Sequence, residues 1–337
     1  MKKQPKILAC LLGFLMLGVY LLAATSHGQQ SAANAAAAGA GARKYLPTPA
    51  RLARGRYLTE VVTGCFYCHS QVDWTSRPAR ILPGRKGGGA PFPVTNLPFK
   101  LMVPNISPDR ETGTGAWSDD ELARAIREGI GRDGRRLIPV MPYRFFRALS
   151  DEDLASIIVY LRSVPPVRNR VTPTLLEEPF RALLPPLQPP LGSVPPPDLS
   201  TPAKRGAYLT TIGLCGDCHH PVDPQLQPLN GLEFGGGFIL EGPWGRVASA
   251  NITPDASGIS YYDGKLFIET IRTGSVRTRP LSTIMPWSHY RNLTDEDLKA
   301  LFAYLRSLKP VVHRVDNTEP PTPCKVCGQS HGYGDRN

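Results

Sequence analysis

The chain has 337 residues, enough for two domains of ordinary size plus connecting segments, and its 41% apolar content can fill a packed core. Thirty-five prolines and 32 glycines imply short helices and much irregular backbone. The net charge of +11 includes Lys2, Lys3 and Lys6, and basic and aromatic residues are not interleaved as a nucleic-acid surface requires, which excludes nucleic acid as a partner.

Behind those three lysines, residues 7–24 form an uncharged apolar run of 18 residues. The run is longer than the roughly 7–15 residues of a signal-peptide core and falls within the about 17–25 of a spanning helix. Positive charge ahead of it keeps the N-terminus in the cytoplasm and exports the rest. Residues 1–28 are therefore a membrane anchor, or a signal peptide cut near the small residues Ala24, Ser26 and Gly28. Cys10 lies too early in the run for acylation and counts as one of its apolar residues. The Ala/Gly-rich residues 29–49 are a flexible tether. The expected location is the periplasmic side of a bacterial inner membrane, with membrane association through residues 7–24.

Beyond the tether the chain is written twice. Cys65-Phe66-Tyr67-Cys68-His69 recurs as Cys215-Gly216-Asp217-Cys218-His219. Gly87-Gly88-Gly89 matches Gly235-Gly236-Gly237, and Asn105-Ile106-Ser107-Pro108-Asp109 matches Asn251-Ile252-Thr253-Pro254-Asp255. Met141-Pro142-Tyr143 matches Met285-Pro286-Trp287, and Ser150-Asp151-Glu152-Asp153-Leu154 matches Thr294-Asp295-Glu296-Asp297-Leu298.

Each copy is expected to hold three helices. The first spans about 50–63, or 203–212, and stops at Gly64 or Gly213 just before the CxxCH. The second follows Ser118, which forms a capping box with Glu121, or starts at Asp263. The third starts at Ser150 or Thr294, with Leu154, Ile157, Ile158 and Leu161 on one face of the first copy. Gly- and Pro-rich loops fill the interval between CxxCH and the second helix. Between the copies, residues 164–202 hold twelve prolines, which favours a semi-rigid, extended spacer. Its piece 175–184 is expected to form a helical turn docked on one copy.

C-x-x-C-H is the attachment signature of c-type haem. Two thiols at this spacing add across the haem vinyl groups, and the adjacent histidine reaches the iron as the proximal ligand. Two such motifs at matching places in an exported chain argue for two covalently bound haem c groups, on Cys65, Cys68 and His69 and on Cys215, Cys218 and His219. A zinc reading wants two further ligands per copy, and none recur.

The second axial ligand follows by elimination. Of five methionines, only Met141 and Met285 recur, each before proline and an aromatic residue. Packing is the usual role of a lone methionine. Two aligned Met-Pro-aromatic triplets favour ligation of iron instead, with Met141 and His69 on one haem and Met285 and His219 on the other. His220, His289, His313 and His27 do not recur and are expected at the surface or in packing.

With helix, CxxCH, glycine-rich loop, methionine loop and terminal helix in that order, each copy resembles a class I cytochrome c domain, over about 52–167 and 204–314. The resemblance implies that the first and last helices cross with a small residue against an aromatic one, Gly55 on Tyr160 and Gly206 on Tyr304. The Asn-Ile-Ser/Thr-Pro-Asp stretch, with Thr112-Gly113-Thr114-Gly115-Ala116-Trp117, is similar to the multihaem cytochrome subunits of periplasmic membrane-bound dehydrogenases. Those usually carry three haems, whereas this chain has two CxxCH motifs. The expected architecture is mainly α: tandem domains at 50–168 and 203–315, a Pro-rich linker at 169–202 and a tail at 316–337.

The tail ends in Cys324-Lys325-Val326-Cys327-Gly328, with glycine where a haem motif needs histidine. In an oxidising compartment a local disulfide is the plainer reading. A small metal site that includes His331 is the other, although no fourth ligand is visible.

Iron with both axial positions filled by protein cannot readily bind substrate, so the expected role is relay and not catalysis. Electrons would pass from a periplasmic dehydrogenase through two haems to an oxidase, another cytochrome or quinone. The rivals are dihaem enzymes, of the cytochrome c peroxidase or thiosulfate-oxidising type, and a haem gas sensor. Each needs an iron with an opened or unusual ligand, which the matching methionines oppose.

Overall fold

The computed structural model describes residues 44–182, 184–223 and 227–337. The run at 7–24 and most of the tether lie outside them. Among the described residues no helix is long and apolar enough to cross a membrane.

Thr48 opens the first helix, its hydroxyl accepting from the Arg51 amide at 3.2 Å, with Pro49 in the first turn. This helix, α1 (Pro49–Tyr57), widens into a π-helical turn over Leu58–Val62, closed by the Thr63 amide on the Leu58 carbonyl. Gly64, at φ 61°, ends it and leads into the short α2 (Cys65–Cys68). Two small ladders follow, β1 (Val72–Asp73) with β2 (Arg80–Ile81) and β3 (Ala90–Pro91) with β4 (Met102–Val103). Then come α3 (Asp119–Glu128), α4 (Tyr143–Phe146) and α5 (Asp151–Ser163). The capping box of Ser118 and Glu121 is formed on both sides, and Ser150 caps α5 through the Asp153 amide.

The second half repeats this order with α6 (Pro202–Ile212), α7 (Cys215–His219) and the hairpin of β5 (Ile239–Gly242) with β6 (Gly245–Ala248). It continues with α8 (Gly264–Thr273), the ladder of β7 (Ser275–Val276) with β8 (Arg279–Pro280), α9 (Trp287–Tyr290) and α10 (Asp295–Ser307). The tail forms a last hairpin, β9 (Pro321–Pro323) with β10 (Ser330–Gly332). The expectation of a mainly helical chain is met in part. Helix accounts for 32% and strand for 10%, because the Gly- and Pro-rich intervals expected as loops close into ladders of two to four residues.

The first and last helices of each half cross through glycine. A Cβ on Gly55 would lie 2.7 Å from the Tyr160 Cβ and against the Ser156 carbonyl. A Cβ on Gly206 would meet the Tyr304 Cβ at 2.7 Å and the Ala300 carbonyl. Around these crossings Leu58, Val62, Leu154, Ile157 and Ile158 fill one core, and Leu209, Ile212, Leu298 and Leu301 the other.

The glycine match is displaced by one residue from the one read in the sequence. The Gly89 amide donates to the His69 carbonyl at 2.9 Å, and it is Gly236, not Gly237, that does so to His219, at 2.8 Å. Gly87 therefore corresponds to Phe234. An aromatic exchange accompanies the shift. Phe66, inside the first CxxCH, stands edge-on to Tyr160 with centroids 6.4 Å apart, over Gly87. In the second half Gly216 vacates that place and Phe234 fills it from the loop, 6.2 Å from Tyr304. Likewise Gly213 is not the left-handed stop. Its φ is −86°, and Leu214 takes the left-handed position at φ 62°. Glycine is needed at 213 for another reason: a Cβ there would sit 2.6 Å from the Leu209 carbonyl.

Residues from Pro47 to Asn337 form one compact unit, and its two halves meet reciprocally. Tyr57 on α1 donates to Asp297 on α10, and Tyr208 on α6 donates to Asp153 on α5 at 2.6 Å. Each phenol oxygen also accepts a cap amide, that of Thr294 at 3.1 Å and that of Ser150 at 3.5 Å. Arg54 grips Asp153 at 2.8 and 2.9 Å, and Arg205 holds Asp297 at 2.6 Å. Burial, helped by Asp297, pushes the Tyr57 phenol up to about 12, so it remains a donor at neutral pH. The proline-rich segment wraps the first half, with the Val194 carbonyl accepting from the Asp151 amide at 2.9 Å. The helical turn expected within 175–184 is present as a single turn, with the Arg181 amide on the Glu177 carbonyl at 3.0 Å, and its Phe180 packs on Phe99 of the first half at 5.6 Å.

Gly206→Ala should destabilise the chain by about 3 kcal/mol, since the added methyl meets backbone that cannot move aside. Chemical denaturation measures this, and a loss under about 1 kcal/mol would contradict the tight crossing.

Candidate haem centres

In α2 and α7 one helical turn carries both cysteines of each motif, and the histidine ends it. Cys65, Cys68, Cys215 and Cys218 are free thiols. A redox-active CxxC needs a depressed thiol pKa. Here burial raises the Cys65 thiol and pushes that of Cys215 up to about 12, which opposes a thiol–disulfide role.

The histidine rings are fixed in one tautomer. His69 Nδ1 donates to the Pro104 carbonyl at 2.8 Å, and His219 Nδ1 donates to the Ala250 carbonyl at 2.7 Å. A carbonyl can only accept, so the proton sits on Nδ1 and Nε2 keeps its lone pair. Burial lowers both pKa values and holds the rings neutral. A histidine anchored through one nitrogen with the other bare is what an axial ligand needs.

Each anchoring carbonyl directly precedes the asparagine of the Asn-Ile-Ser/Thr-Pro-Asp stretch, which gives that stretch a physical role. Asn105 Nδ2 donates to the Val167 carbonyl at 2.7 Å and to that of Asn169 at 3.2 Å, while its Oδ1 accepts from the Ser107 amide and hydroxyl. Asn251 does the same with Val311, His313 and Thr253, at 2.7, 3.1, 2.9 and 2.7 Å. Asp109 then closes the turn on the Thr112 amide and hydroxyl, both at 2.7 Å. The asparagine thereby clamps the strand leaving the last helix against the carbonyl that orients the histidine.

Met141 and Met285 are half-buried in matching turns. Each methionine carbonyl accepts at 2.8 Å from the amide two residues on, of Tyr143 or Trp287. The intervening Pro142 and Pro286 sit at φ/ψ −84°/44° and −79°/38°, close to an inverse γ-turn. The aromatic residue lies on the glycine that ends the middle helix. A Cβ on Gly129 would be 2.5 Å from the Tyr143 ring, and a Cβ on Gly274 would press still closer on the Trp287 ring. Both glycines have positive φ, 67° and 69°, so helix end, aromatic ring and methionine turn are registered together.

The two CxxCH segments face one another. Arg144 reaches to 3.9 Å from Asp217, whose carboxyl burial pushes up to about 6 against the pull of that guanidinium. Burial, Asp217 and the Cys68 thiol of the first half together raise the Cys218 thiol. Tyr67 donates to the Thr283 carbonyl and stands edge-on to His289, with centroids 5.1 Å apart. His289 is the packing residue expected. Burial takes its pKa down to about 3, its Nδ1 has no hydrogen-bond partner, and a Cβ on Gly64 would lie 2.6 Å from its Nε2.

One expectation fails: Cys324 and Cys327, read as a local disulfide, are both free, and their thiols converge on histidine nitrogens. His313, read as a surface or packing residue, is fully buried beside them. Its distance in sequence from the CxxC hid that neighbourhood. His220, also read so, is a packing residue, with Nε2 3.0 Å from the Leu229 carbonyl.

Free thiols paired on one turn, with a neutral histidine whose Nε2 is bare, form a donor set that fits covalently held haem in each half. Asn251→Ala should cost on the order of 3 kcal/mol, since four buried partners lose their bonds. A denaturation midpoint equal to that of the unaltered chain would contradict the clamp.

No family model matches the chain. It is 32% identical over 281 residues to a nicotinate dehydrogenase polypeptide of Pseudomonas putida, covering 77% of this chain and 21% of that protein. It is 30% identical to the fructose dehydrogenase cytochrome subunit of Gluconobacter japonicus, covering 78% of this chain and 54% of that one. To the diheme cytochrome c-type protein of Cereibacter sphaeroides it is 27% identical, covering 74% and 83%. The chain thus spans a fifth and about half of the length of the first two relatives. The chain is thus similar, at modest identity over most of its length, to cytochrome c subunits of dehydrogenase complexes and to a diheme cytochrome c.

Proposed function

We propose that this chain is a dihaem cytochrome c that relays electrons in the periplasm from a dehydrogenase to a respiratory acceptor. In this reading each half is a class I cytochrome c domain. Cys65 and Cys68, and Cys215 and Cys218, hold the two haems covalently. His69 with Met141, and His219 with Met285, would ligate the two irons. The observation that carries the reading is the pair of Nδ1–carbonyl bonds, which leaves a bare Nε2 beside each CxxC turn.

When bound, haem would supply a one-electron couple, whose potential a methionine ligand would raise. The remaining work belongs to the chain. The Pro104 and Ala250 carbonyls keep each imidazole oriented and neutral through a change of charge nearby. The γ-turns seat each thioether on a rigid support, so little rearrangement accompanies transfer. The reciprocal junction sets α2 against α7, a short route between the halves. Buried Tyr57, Tyr208 and His289 hold that route without gaining or losing protons near neutral pH. The similarity to dehydrogenase cytochrome subunits supports a dehydrogenase as donor. The acceptor is an oxidase, another cytochrome or quinone. The lysine-led apolar run at 7–24 would hold the chain at the inner membrane or direct its export.

Purified protein should contain two covalently bound haems, both low-spin and slow to bind carbon monoxide or cyanide. Met141→Ala and Met285→Ala should each lower one of two midpoint potentials, by on the order of 0.1 V or more, and leave the other nearly in place. A redox titration that shows no shift in either variant rejects the ligand assignment. A high-spin haem in the unaltered protein would instead favour a dihaem enzyme.

A further inference from the structure

We propose that His313, Cys324, Cys327 and His331 form a tetrahedral site for one Zn2+ ion that fastens the C-terminal tail to the second half of the protein. The four residues are buried, with exposures of 0, 4, 2 and 1%. Their ligand atoms all lie within 4.8 Å of one another. His313 Nε2 is 3.1 Å from His331 Nε2, Cys324 Sγ is 3.5 Å from His313 Nε2, and Cys327 Sγ is 3.4 Å from His331 Nε2. Zinc bonds of about 2.0 Å to nitrogen and about 2.3 Å to sulfur give tetrahedral edges of about 3.3 Å between nitrogens and about 3.5 Å between nitrogen and sulfur.

The tautomers show why a cation belongs there. His313 Nδ1 donates to the Gly235 carbonyl at 2.9 Å, and His331 Nδ1 to the Gly332 carbonyl at 3.0 Å. Both protons are committed, so the two Nε2 lone pairs point at each other across 3.1 Å. A shared proton would satisfy that pair and leave both sulfurs without a role. A metal ion satisfies all four atoms at once. Two imidazoles and two thiolates, with no water-filled fourth position, are the donor set of a structural zinc site, and the carbonyl-anchored rings supply the outer shell such ligands usually have.

The surroundings are shaped for the cluster. Gly237, at φ 93°, makes room for it: a Cβ there would lie 2.7 Å from His313 Cε1 and 3.2 Å from Cys327 Sγ. Gly328, at φ 71°, follows the second cysteine and donates to the Cys324 carbonyl at 2.9 Å, closing the knuckle that turns both thiols inward. Among the described residues the first half has no such site. Asn169 stands where His313 does and donates to the Gly88 carbonyl at 2.7 Å. The tail offers few buried apolar side chains of its own, so a metal staple is the physical means to hold it. Through Gly235 and Gly236 the staple reaches the loop that closes on the His219 carbonyl.

Element analysis of the full-length protein, together with the thiol state of its tail peptide by mass spectrometry, tests the proposal. One zinc per chain is expected beyond the haem iron, with both tail thiols free once chelator is added. His313→Asn should keep the contact to Gly235, as Asn169 does to Gly88, and lower zinc content by about tenfold or more. Cys327→Ser should do the same, and in both variants proteolysis at the tail should quicken while haem content stays unchanged. A Cys324–Cys327 disulfide in the native protein overturns the proposal. So does failure to take up Zn2+ after reduction, or zinc that persists in both variants.

Discussion

A backbone carbonyl locked against an imidazole proton is the contact on which each half depends. The Pro104 and Ala250 carbonyls face His69 and His219 because the next residue, a buried asparagine, is bonded through both polar atoms of its side chain. That asparagine holds the strand leaving the last helix, and the last helix is pressed on the first through Gly55 or Gly206. The first helix ends at the CxxC turn, so the connection closes on itself. A disturbance at any of these points reaches the histidine, and buried amides with all partners made leave little slack for it.

The junction between the halves repeats one interaction about an approximate twofold. A tyrosine from each first helix inserts its hydroxyl between an aspartate and a cap amide on the last helix of the other half. The aspartate is buried but compensated by arginine, tyrosine and the positive end of its helix. Because each first helix ends at its CxxC turn, the contact that joins the halves also fixes where the two CxxC turns sit relative to each other. A long spacer is then free to serve as a wrap. The proline-rich segment does so, bonding to Asp151, Arg147 and Arg136 of the first half.

Where the halves differ, compensation is local. Phe66 and Phe234 reach equivalent tyrosines, Tyr160 and Tyr304, from different segments, each facing the glycine left at the other's position. Asn169 and His313 make the same kind of bond to the glycine loop, but only the histidine has a second nitrogen to offer the tail. The second half thus carries an attachment point that the first half lacks.

Much of this was legible in the residues. Helix caps at Ser118, Ser150, Asp263 and Thr294 and the CxxCH turns are local patterns, and each stands where its pattern predicted, while the crossings at Gly55 and Gly206 followed from the resemblance to class I cytochrome c domains. The π-helical turn before Gly64, the left-handed Leu214 and the shift of the glycine match were not legible, since packing and not local preference selects them. The same holds for the carbonyls that hold His69 and His219, for the tyrosine–aspartate junction and for His313 among the tail cysteines. Periodicity and motif spacing report what a chain does with its near neighbours. A hydrogen bond or ligand cluster between residues tens of positions apart exists only once the fold has brought them together.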